Sequence, residues 1–351
     1  MLRLRHAAFG RKAVSGNTDT RLTGNRERAI KQPTNSMMHT IVINKLKELK
    51  GKKVYFEPLA GNNGDNLMRL GAMVLFKELG LDLVDDISKA ETVVVSGNGD
   101  LTIHPKNKPI EKSLLGLALL KYKDLPVIVL PCSCIASNAK RLSDIFNLRT
   151  GSTTIIARDE ISYSLFREFA PANVEVYVDH DMSFALIGSD WLNDVKKRIS
   201  NNSLLVVERF DAERATKPPG VFRIPVLFRS LVPNSLKNLI KKRALGAVYG
   251  NTPFVTEAIS KAREHFPSLN YNVVKTGDIS LPQNYSFESF VAEIANASAV
   301  VSTRMHVCIM AALLGKPFIA VQFEGGHKVS ALFEKSLQKL PNARLWIKRP
   351  V

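Results

Sequence analysis

The most constraining feature of this sequence is a set of short apolar runs that alternate with turn-rich junctions and helical segments. The clearest runs are Glu91–Val95, Val127–Pro131 and Thr153–Ala157. They are apolar almost throughout, whereas a strand with one solvated face would alternate between apolar and polar residues. Continuous runs of this kind are typical of a parallel sheet that helices cover on both faces. The pattern therefore predicts a doubly wound α/β fold.

The alternation pauses after Leu186 and restarts with the apolar run Ser203–Val207. A chain of 351 residues is long enough for two domains. We therefore predict two Rossmann-like doubly wound domains that face a cleft, a GT-B-like α/β architecture, over residues 40–190 and 191–340.

Three other segments lack this alternation. Residues 1–39 are basic and without apolar periodicity, and we predict a disordered, non-catalytic N-terminal segment. Residues 211–250 form an irregular insertion rich in proline, lysine and arginine inside the second domain. Residues 341–351 are expected to be a C-terminal tail.

The net charge of +17 admits nucleic acid, an anionic membrane surface or an acidic substrate as a partner. Aromatic residues make up only 7% of the chain and do not interleave with a basic stretch, which disfavours nucleic acid. No stretch approaches the ~20 apolar residues of a membrane span. We expect a cytoplasmic protein that can associate peripherally with the inner, anionic face of the membrane.

The three cysteines, Cys132, Cys134 and Cys308, lack zinc-site spacing and are expected to be buried, reduced thiols. His180 lies between Asp179 and Asp181, but no ligand spacing supports a metal there. We therefore predict no metal site and no cofactor.

The stretch Ala299–Val321 reads as strand, sharp turn, helix, Gly-Lys-Pro turn and strand. Ser302 or Thr303 is a candidate helix cap. Two polar residues, Arg304 and His306, interrupt this apolar unit at the strand-to-helix junction. Ligands of open α/β sheets bind at such junctions, and free N–H groups together with an arginine favour an anion.

Other polar junctions follow the strands of the first domain, and in a parallel sheet they all meet at one edge. They are Gly61–Asp65, Ser96–Asp100 and Ala157–Asp159. Two of them also have a purely structural interpretation. Asp65 is suited to cap a helix, and Arg158 with Asp159 could be a surface ion pair.

Several of these motifs, in the same order, resemble the polysaccharide pyruvyl transferase family over about residues 53–335. They are Gly61-Asn-Asn-Gly-Asp65, Gly97-Asn-Gly99, Ala157-Arg-Asp-Glu-Ile-Ser162, Asp179/Asp181-Met-Ser-Phe-Ala-Leu186, Ser302-Thr-Arg-Met-His306, Gly315-Lys-Pro317 and Lys328. The chain departs from the family at Asn98, where a third glycine is usual, and at Val307, where a glycine is usual.

The resemblance implies a transferase that moves the pyruvyl group of phosphoenolpyruvate onto two sugar hydroxyls and releases phosphate. The implied acceptor is a sugar or a lipid-linked oligosaccharide of an exopolysaccharide or cell-surface glycan precursor. The implied catalytic residues are His306, Arg304 and Asp65. The implied substrate-binding residues are Arg158, Arg304, Met305, His306, Asn62, Asn63, Gly64, Asn98 and Lys328.

Two alternatives remain at the level of sequence: a nucleotide-sugar-dependent GT-B glycosyltransferase and a non-catalytic basic protein that binds polyanions. The transferase interpretation makes a geometric prediction. Residues two apart on a regular helix point about 200° apart. Arg304 and His306 can therefore share a ligand only if Thr303 and Arg304 are non-helical, with His306 in the first turn and the donor held between them and Arg158.

Overall fold

A computed structural model describes residues 39–102, 109–209 and 252–349 of the chain. The predicted insertion 211–250 lies outside the described residues, as does the basic N-terminal segment apart from His39.

The first sheet has six strands. They are β1 Lys53–Glu57, β2 Asp82–Val84, β3 Thr92–Val95, β4 Val127–Cys132, β5 Thr153–Ala157 and β6 Val174–Val178. All neighbours are parallel, in the order β2-β1-β3-β4-β5-β6. The two central strands β3 and β4 are buried at every residue, as their continuous apolar sequences predict.

The second sheet has five strands. They are β7 Ser203–Val207, β8 Val273–Thr276, β9 Ala297–Ser302, β10 Phe318–Phe323 and β11 Ala343–Lys348. These are also parallel, in the order β11-β10-β9-β7-β8. Strands β7 and β9 lie at its centre and are fully buried.

Helices connect the strands. They are α1 Ile41–Lys47, α2 Asn63–Leu79, α3 Leu114–Lys121, α4 Ala136–Asn147, α5 Glu160–Phe169, α6 Asp190–Lys196, α7 Pro253–His265, α8 Phe287–Ala295, α9 Met305–Leu313 and α10 Lys328–Leu332. Shorter turns are the 3-10 segments Ile87–Lys89, Asp100–Thr102, Ile110–Lys112 and Met182–Leu186, and the π segment Phe333–Leu337. Within the described ranges no helix combines the length and apolar character that a membrane crossing requires. The predicted GT-B-like α/β fold with two Rossmann-like halves is confirmed.

The C-terminal segment differs from the prediction. Residues 343–348 are not a tail but the strand β11, which pairs with β10 from Phe318–Ala343 to Phe323–Lys348. The strand does not resemble the buried central ones, because four of its six residues are exposed or half-buried and it contains Arg344 and Lys348. The short edge strand β2 was not predicted either, and its residues are exposed or half-buried.

One apolar cluster contains residues of both halves. Leu67 on α2 and Phe184 and Leu186 after β6 are at most 2% exposed and pack with residues of α8, α9 and the second sheet. Hydrogen bonds also join the halves: the backbone N–H of Asn63 donates to Ser280 O at 2.9 Å. This packing fixes the edges of the two sheets against each other.

Candidate active site

A cavity of about 250 Å³ lies where the carboxyl ends of strands from both sheets meet. It is smaller than the ~300–1,000 Å³ of pockets for drug-sized ligands, so it suits a small ligand. Eight of the predicted site residues line it: Asn62, Asp65, Asn98, Arg158, Arg304, Met305, His306 and Lys328.

The junction after β9 has the predicted geometry. Arg304 is extended, with φ −99° and ψ 114°, and α9 begins at Met305, which places His306 in the first turn. The predicted cap is wrong, because Arg304 itself precedes the helix and no side chain caps it. Ser302 instead accepts a hydrogen bond from the Arg304 N–H (2.9 Å), and Thr303 accepts one from the Arg209 N–H (2.8 Å).

A buried carboxylate holds the guanidinium of Arg304. Asp278, on the loop after β8, accepts from Arg304 Nε at 2.9 Å and also from Nη2. Arg304 is 4% and Asp278 1% exposed. A bidentate pair of this kind fixes both the position and the plane of the arginine.

Arg158, at the end of β5, is completely buried. Its Nη1 donates to Asp181 Oδ2 at 2.8 Å, and its Nε donates to Ser133 Oγ at 2.7 Å. Its Nη2 is buried and has no hydrogen-bond partner among the residues that the structure describes. An unpartnered, buried, cationic donor at a cavity wall indicates that the ligand is an anion.

The alternative of a surface ion pair between Arg158 and Asp159 is wrong, because both side chains are fully buried and they serve different elements. Asp159 caps α5 by accepting from the Ser162 N–H at 2.8 Å, and it also accepts from Ser133 Oγ at 2.6 Å. The acidic partner of Arg158 is Asp181, which lies in another loop.

His306 reaches across from the second half to the same carboxylate. Its Nε2 lies 3.2 Å from Asp181 Oδ2 and 3.5 Å from Arg158 Nη1. Since Arg158 donates to Asp181, we assign a proton to His306 Nε2, so that both groups donate to Oδ2. Both hydrogen-bond contacts of this ring with described residues involve Nε2, and neither involves Nδ1. Nδ1 is therefore the nitrogen left for acid–base chemistry.

The charge state of Asp181 follows from its neighbours. Burial raises the pKa of its carboxyl, but the charge and hydrogen bond of His306 and the charge of Arg158 outweigh it and hold that pKa well below its usual range. Burial likewise lowers the pKa of Arg158, and Asp181 more than compensates. This ion pair therefore remains charged at neutral pH.

The start of α2 forms the floor beside His306. The Asn62 side chain accepts from the Gly64 N–H at 2.7 Å, and Asp65 Oδ2 accepts from the Asn62 N–H at 2.7 Å, which is a complete capping box. Asn63 is 1% exposed, and its amide donates to Ile279 O (3.2 Å) and Tyr285 O (2.9 Å) in the other half. Asn63 and Gly64 thus support the wall without lining it.

Gly64 has no space for a side chain, since a Cβ there would lie 2.3 Å from His306 Nδ1. On the opposite wall, Lys328 donates to Thr102 Oγ1 at 3.0 Å and joins the two halves. Gly99 lies beside this lysine, since a Cβ at Gly99 would be 2.5 Å from Lys328 Nζ. Asn98, beside it, is 3% exposed.

Sequence reasoning missed three residues at this site: Arg209, Asp278 and Ser280. Arg209 follows β7 and Ser280 lies two residues after Asp278, and both line the cavity. All three follow a strand. The junction rule that selected Arg304 would have selected the loop Gly277–Ser280 too, had it been applied there.

The cysteines lie outside this chemistry. Cys132, Cys134 and Cys308 are buried and unpaired with one another, as predicted, and burial raises the pKa of Cys132 to about 12. Within the described part of the chain there is no group of three or more acidic, histidine or cysteine side chains that could hold a metal ion. His180, considered above for a metal, instead bonds Ser336 Oγ at 2.9 Å.

A family model described as polysaccharide pyruvyl transferase matches residues 40–323. No curated protein matches the chain. Among solved structures, a functionally uncharacterized protein, KP1_0663, of Klebsiella pneumoniae subsp. pneumoniae NTUH-K2044 has a TM-score of 0.53 at 16% identity, over 87% of this chain and 96% of that one. This similarity concerns the fold alone.

The E. coli heptosyltransferase WaaC with ADP-2-deoxy-2-fluoro heptose is more distant. Its TM-score is 0.33 at 13% identity, over 84% of this chain and 92% of that one. A UDP-GlcNAc 2-epimerase of Methanocaldococcus jannaschii has a TM-score of 0.32 at 14% identity, over 82% and 71% of the two chains. Both scores are too low to carry a conclusion.

Proposed function

Because this chain belongs to the polysaccharide pyruvyl transferase family, we propose that it transfers the pyruvyl group of phosphoenolpyruvate to two hydroxyls of a sugar. The products are a pyruvate ketal and inorganic phosphate. The acceptor is a sugar or lipid-linked oligosaccharide of an exopolysaccharide or cell-surface glycan precursor. Membership of the family makes the protein a transferase. The identities of the donor and of the acceptor are what we propose.

The observation that carries the proposal is Arg158, a fully buried arginine with one unpartnered nitrogen in a cavity that also contains His306. The proposed donor bears a phosphate and a carboxylate. Arg158 and Arg304 provide two guanidinium groups for these two anions, and Lys328 adds a third cation. A cavity of about 250 Å³ suits a phosphorylated three-carbon acid.

The proposed reaction balances as follows. The methylene carbon of the enolpyruvyl group gains a proton and becomes a methyl group. The central carbon forms bonds to two acceptor oxygens and loses the phosphate with its ester oxygen. Each acceptor hydroxyl gives up one proton. One of these replaces the proton delivered to carbon, and the other leaves with phosphate or solvent.

His306 Nδ1 is the proposed acid–base atom, because Asp181 occupies Nε2 and an imidazole nitrogen can both accept and donate a proton. Asp181 holds the ring in one tautomer and one orientation. Asp65, at the same cavity, is the proposed second base for an acceptor hydroxyl. The arginines and Lys328 stabilise the charge on the departing phosphate.

The direct test is incubation with phosphoenolpyruvate and a panel of galactose- and mannose-terminated acceptors. We expect equal amounts of phosphate and ketal. Arg304→Ala and His306→Ala should each lower turnover at least about 100-fold, the lower range for general acid–base groups. The chain offers a matched control in its other Arg-x-His sequence, Arg263 and His265 in the last turn of α7, outside the cavity.

Alanine at Arg263 or His265 should leave turnover unchanged. The proposal fails if no acceptor yields ketal. It also fails if UDP or GDP raises the thermal midpoint while phosphoenolpyruvate does not, because ligands stabilise the folded state that binds them. That second result would favour a nucleotide-sugar glycosyltransferase.

A further inference from the structure

The loop Gly277–Ser280 between β8 and α8 contributes a hydroxyl that the chemistry above leaves unused. Ser280 is 1% exposed and lines the cavity. Its Oγ is buried and has no hydrogen-bond partner among the described residues. A buried hydroxyl without a partner is costly, so its presence at a cavity wall indicates a group that the ligand satisfies.

The loop holds Ser280 in place from both sides. Asp278, two residues earlier, binds the guanidinium of Arg304. The carbonyl of Ser280 accepts from the Asn63 N–H at 2.9 Å, and the carbonyl of Ile279 accepts from the Asn63 amide at 3.2 Å. Ser280 is thus fixed between the start of α2 and Arg304, both of which belong to the cavity.

Among the described residues, Arg158 Nη2 is the other buried, unpartnered donor that belongs to a cavity residue. The two donors come from different halves of the molecule. A phosphoryl group has three terminal oxygens and can accept from both while it also contacts other cations. A serine hydroxyl adds a hydrogen bond without adding charge to a site where Asp65, Asp181 and Asp278 already offset part of the cationic charge.

We infer that Ser280 Oγ and Arg158 Nη2 together form a phosphoryl-binding subsite of this cavity. The inference rests on the proposed function for the identity of the phosphorylated donor. The subsite itself is defined by phosphate chemistry, and it binds the phosphoryl group of the donor before transfer and free phosphate after it.

The test compares two serines that share one property. Ser280 and Ser183 are both buried with an unpartnered Oγ, but only Ser280 lines the cavity. Titration calorimetry of the full chain with inorganic phosphate, and separately with phosphoenolpyruvate, measures the affinity. Ser280→Ala should bind both about 10-fold or more weakly, the effect of one hydrogen bond to a charged group. Ser183→Ala should bind both as the wild type does.

Thermal unfolding without ligand separates binding from folding. Both substitutions remove an unpartnered buried hydroxyl, so the midpoint should stay unchanged or rise in each. Arg158→Lys keeps the charge beside Asp181 but removes Nη2. Combined with Ser280→Ala it should lose less affinity than the sum of the single changes, because both groups hold the same phosphoryl group.

The inference is overturned if the wild type binds neither anion, if Ser280→Ala binds phosphate as tightly as Ser183→Ala, or if only phosphoenolpyruvate affinity falls. The last result would place the hydroxyl on the carboxylate of the donor. Phosphate binding that depends on Ser280 without any ketal formation would overturn the proposed function and leave the subsite standing.

Discussion

The site contains two buried arginine–carboxylate pairs. They differ in the number of guanidinium nitrogens that the carboxylate binds. Asp278 binds Arg304 through Nε and Nη2, and both residues belong to the second half. Asp181 binds Arg158 through Nη1 alone and accepts in addition from His306 of the other half. Nη2 of Arg158 has no partner among the described residues.

This difference separates two tasks. The bidentate pair fixes a cation at the wall. Asp181 binds only one guanidinium nitrogen of Arg158, which leaves Nη2 of Arg158 for the ligand. Asp181 also binds His306, the proposed base. The cost is that Arg158 and His306 both depend on one buried carboxylate.

The largest effect is expected from removing that carboxylate. Asp181→Ala leaves Arg158, whose side chain is 0% exposed, buried without a counter-charge. The expected loss is about 3–5 kcal/mol of the free energy of unfolding, together with loss of turnover. Asp278→Ala should cost less, because the Arg304 side chain is 5% exposed at the cavity wall and can be hydrated. Urea denaturation measures both, and equal losses would break the distinction.

The next effect concerns His306, the histidine that Asp181 anchors. A Cβ at Gly64 would lie 2.3 Å from His306 Nδ1, so Gly64→Ala should displace the ring from Asp181. We expect about 100-fold lower turnover, the effect of misplacing a catalytic group by about 1 Å. Gly151→Ala is the control, because its Cβ would meet Leu125 O at 2.2 Å away from the cavity.

Both glycine variants should lose about 1–3 kcal/mol of stability through overpacking. Only Gly64→Ala should lose turnover per folded molecule, as measured by assays alongside circular dichroism. If Gly151→Ala loses as much turnover, general loosening of the fold and not the position of His306 limits the reaction.

A further test uses the decrease in the free energy of unfolding at acid pH. The pKa of Asp181 is held below its usual range, so between the ordinary carboxyl pKa of about 3.9 and that lower value the unfolded chain binds more protons. Stability from this group is therefore complete above about pH 4 and is lost as the pH falls below it. Asp181→Asn should flatten this decline in unfolding measured from pH 7 to 2.

The control for this acid-pH test is Asp194→Asn. Asp194 pairs with Lys197 at the surface, where their side chains are 59% and 75% exposed. Solvent screens this pair, so its removal should leave the profile nearly unchanged. A change as large as that of Asp181→Asn would show that acid unfolding reports total charge instead of this carboxylate.

The smallest effect is expected at an exposed bridge between the halves. Lys335 Nζ lies 2.7 Å from Glu160 Oε1, and the glutamate side chain is 62% exposed. Lys335→Ala should cost less than about 1 kcal/mol and leave turnover unchanged, in contrast to the buried bridge through Asp181. A larger loss in urea denaturation would mean that surface charges hold the halves together.

Sequence reasoning succeeded where the signal is local. The central strands β3, β4, β7 and β9 are continuous apolar runs because both faces of each sheet are covered, and burial leaves that mark in the sequence. The edge strands β2 and β11 carry no such mark, so β2 was missed and β11 was taken for a tail. Arg304 and His306 stood out as polar residues within an apolar unit.

The sequence did not show which of the site residues contact one another. Arg158 is adjacent to Asp159 along the chain, yet its partner Asp181 lies in another loop, because parallel strands bring their ends together regardless of sequence distance. The role of Ser280 depends on what surrounds its hydroxyl after folding. No pattern within one segment carries that information.

The apolar cluster that contains residues of both halves has a consequence for how this chain folds as it is synthesised. Leu67, Phe184 and Leu186 are made early, but the residues of α8 and α9 that cover them come about 100 residues later than Leu186. These apolar residues of the first half therefore stay exposed while the ribosome synthesises the second half. Exposed apolar residues of this kind are what chaperones bind and what drives aggregation of partly made chains.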